Sequence, residues 1–117
     1  MDLNEAIQKH AAWKLKFRSA IAGQEAMDAD TIAKDNCCDL GKWLHGEAKA
    51  KFASLASHAD CVSRHAHFHA EAAKVAKTIN ARRFDQAEAM LGSGTGYSLA
   101  SNAVGVAIIG LQRDARL

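Results

Sequence analysis

Residues 55 to 80 carry one uninterrupted helical pattern, and that pattern constrains the fold more than any other feature of this chain. Val62, His65, His69, Ala72, Ala73 and Ala76 recur at three- and four-residue intervals and make one stripe. A helix of that span is about 39 Å long. It must bury its stripe against other helices, because no stretch of the chain alternates apolar and polar residues as a strand does. Proline is absent, and apolar residues make up 49% of a 117-residue chain with few aromatics, which suits small-residue helix packing.

The remaining helices follow from the same periodicity. Leu3, Ala6, Ile7, His10, Trp13, Phe17, Ala20 and Ile21 predict a helix from about residue 3 to 22, stopped near Gly23. Residues 24 to 35 are polar and mixed, with one short turn expected around Asp30 to Ala33. A second helix is expected to start at Asp35-Asn36, with Asn36 as cap and Asp39 three residues on, and to run to about Ala50. Arg82 to Leu91 reads as a further helix. The "GSGTG" of residues 92 to 96 breaks the pattern, and a last apolar helix covers about Tyr97 to Arg113. The expected fold is all-α: one domain over residues 1–117, a bundle of four main helices plus a short helix.

Several functions are disfavoured at once. A net charge of +2 indicates no nucleic-acid partner. The N-terminal "MDLNEAIQKH" mixes charges into its apolar pattern and holds no signal-peptide core. No stretch approaches the roughly 20 apolar residues of a membrane span. "GSGTG" lacks the Lys-Ser/Thr end of a phosphate loop and follows no strand. Lys14, Lys16 and Arg18 read as a solvated basic face. Gly105, Gly110 and the alanines of the last helix read as close-packing positions, or as part of a dimer interface. Three cysteines, two of them adjacent, make a poor disulfide framework and a plausible set of reduced cytoplasmic thiols.

The histidines carry the chemistry. His65 and His69 lie four apart on the long helix, so both rings project from one face about 6 Å apart and can grip one ion. They lie within the inward stripe, whereas His67 points away. His10 is equally inward on the first helix. Buried imidazoles without partners would each cost about 1–3 kcal/mol, and a shared ion removes that cost. Thiolate with imidazoles favours zinc; a di-iron bundle would want Glu-x-x-His, which does not occur here.

Which cysteine joins the histidines depends on helix phase. On a helix starting at Asn36, Cys37 and Cys38 point about 100° apart, and Cys37 falls on the stripe of Leu40 and Leu44. Cys61 lies on the face of His65 but two turns from His69, so it reads as a small core residue. The expected ligand is Cys37.

Together His10, "CCDLGKW" (Cys37 to Trp43) and "HAHFH" (His65 to His69) resemble the chemoreceptor zinc-binding domain, over nearly the whole chain. The resemblance implies a zinc site of His10, Cys37, His65 and His69, and a helical bundle that commonly forms homodimers. It also implies a bacterial cytoplasmic regulatory module, serving chemotaxis or cyclic-di-GMP signalling through a partner such as a chemoreceptor or diguanylate cyclase. Gly41 and Trp43 belong to the same motif, with Trp43 read as a core anchor. The chain carries no signalling coiled coil and no cyclase domain, and reads as a stand-alone member.

Zinc availability, or oxidation of the single thiolate by hypochlorous acid and similar oxidants, would then be coupled to bundle conformation. Asp28, Asp30, Asp35 and Asp39 are candidates to orient the imidazoles. A zinc hydrolase would need an open metal position and a base such as that of His-Glu-x-x-His, which is absent; no enzymatic activity is expected. The alternative is a helical adaptor that zinc merely stabilises.

Overall fold

A computed structural model describes all residues from 1 to 117. It is helical throughout, in the order α1 (Leu3–Ala11), α2 (Trp13–Gly23), α3 (Ala29–Ile32), α4 (Asp39–His45), α5 (Glu47–Phe52), α6 (Ala56–Asn80), α7 (Phe84–Met90) and α8 (Gly96–Asp114). The all-α bundle expected from the periodicity is the observed architecture. Its axis is the packing of α6 on α8, and α1, α2, α3, α4, α5 and α7 all lie against one or both of these two helices.

The two long helices are where the sequence pattern is strongest. α6 buries Cys61, His65, Phe68, His69, Ala72, Val75, Ala76 and Ile79 on one side. α8 meets it with Tyr97, Ala100, Val104, Ala107, Ile108 and Leu111. Alanines at the contact let the two backbones approach. Phe17 of α2 and Phe68 of α6, both fully buried, fill the space beside Tyr97, with ring centroids 5.6 and 5.8 Å from it. Thr95 caps α8 by accepting the Ser98 N–H, and Gly94 takes the left-handed conformation that the break before α8 requires.

Two expected helices are each divided. The first is interrupted at Ala12 into α1 and α2: α1 packs against α8 and α4, and α2 against α6 and α7. The second is divided at Gly46, whose backbone (φ −107°, ψ −104°) is outside the helical region. It also begins later than expected. Residues 35 to 38 form a turn and bend, not helix, and α4 starts at Asp39. The cap is Cys38, whose sulfur accepts the Gly41 N–H at 3.4 Å, and Asn36 caps nothing. Asp39 is accordingly the first helical residue and not a capping-box partner.

Gly105 and Gly110 are not close-packing positions within the chain, since a Cβ at either would meet nothing within 4 Å. They lie on the outer part of α8, where Leu99, Val106 and Ile109 are all more than half exposed. No helix is long and apolar enough to cross a membrane.

Candidate metal centre

Three buried histidines and one cysteine converge where α1, the turn before α4, and α6 meet. His10, His65 and His69 are 5%, 0% and 3% exposed, and Cys38 is half-buried at their edge. The Nε2 atoms of His65 and His69 are 3.0 Å apart, and those of His65 and His10 3.2 Å apart. The Cys38 sulfur lies 3.2 Å from His65 Nε2, 3.6 Å from His69 Nε2 and 3.9 Å from His10 Nε2. All four donor atoms fall within 4.8 Å of one another.

Each donor has a structural cause. The i, i+4 spacing on α6 stacks His65 and His69 on one face. His10 closes the last turn of α1, and Phe68 packs edge-on against its ring at 5.3 Å. Cys38 is placed by its role as N-cap, which fixes extended backbone at that residue and turns the sulfur back over the start of the helix. Gly41 completes the arrangement. It is buried, and any side chain there would collide with the main-chain carbonyl of Asp35, so the turn carrying the cysteines lies directly on the first turn of α4.

This corrects the expected cysteine. Cys37 is exposed, its thiol 3.6 Å from Asn36 Oδ1 at the surface, and it is not in the cluster. The phase argument that favoured it applies a helical wheel to residues that precede the helix. Cys61 is a buried core residue, as expected; burial, with the Asp60 carboxylate adding to it, pushes its thiol up to about 12. His67 is exposed, as its position off the stripe implies, and His45 is exposed as well. His58 is buried, with Nε2 2.9 Å from the Leu44 carbonyl oxygen, and serves to tie α6 to the end of α4. Trp43 is half-buried, 6.3 Å from Phe52, and stands on the α4–α5 side, not at the donor atoms.

The groups that orient the imidazoles are main-chain carbonyls, and none of the candidate carboxylates, each more readily read as a cap or a solvated loop group, hydrogen-bonds a ring of the cluster. His10 Nδ1 donates to the Ala6 carbonyl at 2.7 Å, and His69 Nδ1 to the Ile32 carbonyl at 2.8 Å. Asp28 caps α3, and Asp35 pairs with His45 at 2.8 Å. With Nδ1 committed to a carbonyl, the Nε2 of His10 and of His69 each present a lone pair to the centre. His65 Nδ1 is buried without a partner. Backbone carbonyls leave no trace in side-chain patterning, so nothing in the sequence marks Ala6 or Ile32. The Cys38 position does have a signal: a residue able to accept at N-cap, three before the buried Gly41.

The electrostatics favour the neutral form of all four donor groups. Burial holds the imidazoles of His10 and His69 below their ordinary titration range. For His65, burial first and then the neighbouring His69 and His10 rings bring it down to about 3. Burial likewise raises the Cys38 thiol, against the opposing effect of the backbone N–H groups of Gly41 and Leu40. Lone pairs therefore face one another with one thiol proton to share, an arrangement that a cation resolves.

The spacing fits a tetrahedral ion. Zinc with Zn–N of about 2.0–2.1 Å and Zn–S of about 2.3 Å implies N···N edges of roughly 3.3 Å and N···S edges of roughly 3.6 Å. The observed separations from sulfur, 3.2–3.9 Å, span that value, and the two nitrogen separations of 3.0 and 3.2 Å fall slightly inside theirs, so a small outward shift of the rings would admit the ion. One wall of the centre is open: His10 and Cys38 line a surface groove of about 740 Å³ together with Trp13, Lys9 and Lys42.

No curated protein and no solved structure is significantly similar to this chain. The family model described as the chemoreceptor zinc-binding domain matches residues 10–76, a span that starts at His10 and includes Cys38, His65 and His69. The match covers more than half of the 117 residues, and the chain belongs to the chemoreceptor zinc-binding domain family.

Proposed function

We propose that the chain is a non-enzymatic regulatory domain that binds one zinc ion through His10, Cys38, His65 and His69. The observation that carries this reading is the convergence of four donor atoms within 4.8 Å, from segments far apart in sequence, in a chain of this family. Three imidazoles and a thiolate fill a tetrahedron, which makes the centre structural or regulatory rather than catalytic. A bound zinc would hold the Cys38 sulfur as thiolate.

Regulation follows from what the donors join. His10 belongs to α1, Cys38 to the turn ahead of α4, and the other two to α6. Loss of the ion, or oxidation of the Cys38 sulfur by hypochlorous acid or a similar oxidant reaching it through the groove, removes the common attachment of three segments. The output is a change in how α1 and α4 sit on α6, in a bacterial cytoplasmic pathway of chemotaxis or cyclic-di-GMP signalling. Family membership also favours pairing with a second copy, and the exposed apolar residues Leu99, Val106 and Ile109 of α8 offer a face for it.

The test is elemental analysis of the purified chain with its His→Ala variants. About one zinc per chain is expected, retained in His67→Ala and lost in His69→Ala. Iron in place of zinc, or equal zinc in both variants, would defeat the assignment.

A further inference from the structure

The adjacent thiol of Cys37 has no part in the proposed centre. It is exposed, beside a half-buried Cys38 whose sulfur stands at the centre's open wall. Both cysteines precede the first residue of α4, in turn and bend backbone. That placement matters. On a helix, neighbouring side chains diverge by about 100° and cannot bridge. In irregular backbone they are free of that restriction. The third thiol, Cys61, is fully buried in the core and offers nothing to an oxidised sulfur at the surface.

We infer that Cys37 is a resolving thiol: once the Cys38 sulfur is oxidised, Cys37 captures it as a disulfide between the two neighbouring residues. The inference rests on the reading of Cys38 as the oxidant-exposed ligand. The chemistry balances in two steps. A two-electron oxidant, a hypohalous acid or a peroxide, transfers its oxygen to the Cys38 thiolate, giving sulfenic acid and releasing halide or hydroxide. The Cys37 sulfur then attacks the sulfenic sulfur. An S–S bond forms, the S–OH bond breaks, and the hydroxyl leaves as water with the Cys37 proton.

Two consequences follow from geometry. Neighbouring Cα atoms are about 3.8 Å apart, short of the roughly 4.4–6.8 Å that disulfides ordinarily span. The bond is therefore strained and easily reduced. Forming it also engages the sulfur that otherwise faces His65 and accepts from Gly41, so the oxidised turn can neither cap α4 nor complete the centre. Cys37 thus makes oxidation reversible and keeps Cys38 from the irreversible sulfinic state.

The experiment treats the zinc-loaded full chain and its Cys37→Ser variant with one molar equivalent of hypochlorous acid, then follows zinc release, free thiols and peptide masses without reduction. Both proteins are expected to bind zinc before treatment and release it after. The wild type should lose two thiols per oxidant consumed. Its peptide spanning Cys37 and Cys38 should weigh two hydrogens less, and dithiothreitol should restore zinc binding. Cys37→Ser should instead give a dimedone-trapped sulfenic acid or a sulfinic acid on Cys38, with poorer recovery. Zinc release with equal dimedone labelling in both proteins, or a disulfide to Cys61 or to a second chain, would overturn the role of Cys37. Failure of the untreated wild type to bind zinc would overturn the centre itself, and this proposal with it.

Discussion

The main-chain carbonyl of Asp35 rests on Cα of Gly41, leaving no room for even one methyl group between the turn and the helix that follows it. The sulfur of Cys38 lies between these two contact points in sequence and inherits its position from both. Gly41→Ala should push the turn away from α4 and move the sulfur off the histidines. Its zinc affinity, measured by competition with a chromogenic chelator, should fall by at least about tenfold, in line with the loss of a ligand-orienting contact. Gly105→Ala is the control: its Cβ enters open space, and the helix should gain about 0.5–1 kcal/mol. Equal zinc affinity in Gly41→Ala and wild type would mean that the turn does not position the ligand.

Cysteine identity is separable from cysteine reactivity. Cys38→Ser should lose most of its zinc, while Cys37→Ser and Cys61→Ser should keep theirs, because neither of those sulfurs is in the donor cluster. Zinc retained by Cys38→Ser and lost from Cys37→Ser would restore the assignment that helix phase first suggested.

Acid should destabilise the metal-free chain. His10, His65 and His69 are all held below the 6.5 of an ordinary imidazole, His65 at about 3. The unfolded chain takes up these protons near pH 6.5; the folded chain takes each up only at a lower pH, and that of His65 only near 3. Stability is therefore fully present only well above 6.5, and falls as the pH drops through 6.5 toward the folded-state values. Each imidazole adds a slope of up to about 1.4 kcal/mol per pH unit. Urea melts of chelator-treated protein at pH 7.5, 6.5 and 5.5 should show midpoints that fall a little across the first interval and about two to three times as far across the second. Midpoints independent of pH would show that the rings are not buried and neutral.

Phe68 is where the core and the centre share a side chain. It is fully buried, 5.3 Å from the His10 ring, 5.5 Å from His69 and 5.8 Å from Tyr97. Phe68→Ala should cost about 3–5 kcal/mol of stability. Phe68→Leu should cost less and preserve one zinc per chain, as chemical denaturation alongside metal analysis would reveal. A fully stable Phe68→Ala would contradict the packing described.

A charge on the outer face of α8 should change association without touching the fold. Val106 is 71% exposed, and Val106→Lys should leave helicity and zinc content unaltered while shifting a dimer toward monomer in sedimentation or light scattering. A wild-type chain that is monomeric throughout would remove the pairing from the proposed function.

How much of this was legible beforehand can be traced to particular residues. α6 and α8 are long enough for the 3.6-residue period to dominate, so both were expected within about a residue of where they lie. His65 and His69 sit mid-helix, where phase arguments hold, and His10 follows the same logic on α1. At Cys37 and Cys38 the logic failed, because a wheel projected from an assumed start at Asn36 is meaningless when the helix starts at Asp39. The signals that would have corrected it were local: a residue able to cap, and a glycine three residues later. The division at Gly46 also had a visible cue in the glycine. The carbonyls of Ala6 and Ile32 had none, since every residue owns a carbonyl and only the fold decides which one meets a ring.

Asn80 and His69 moor the same short stretch of chain at its two ends. The Asn80 side chain holds both the N–H and the carbonyl of Met27 at 2.8 Å, while the His69 ring holds the carbonyl of Ile32. These moorings are eleven residues apart along α6, about 16 Å. Only one of them depends on an imidazole being turned inward. If His69 swings aside, Met27 stays fast, and the hold that is lost is the one nearer to residues 33 to 38 and the turn that presents Cys38. Letting go of one ligand therefore loosens the footing of another, so the centre should empty abruptly, like a knot rather than a seam.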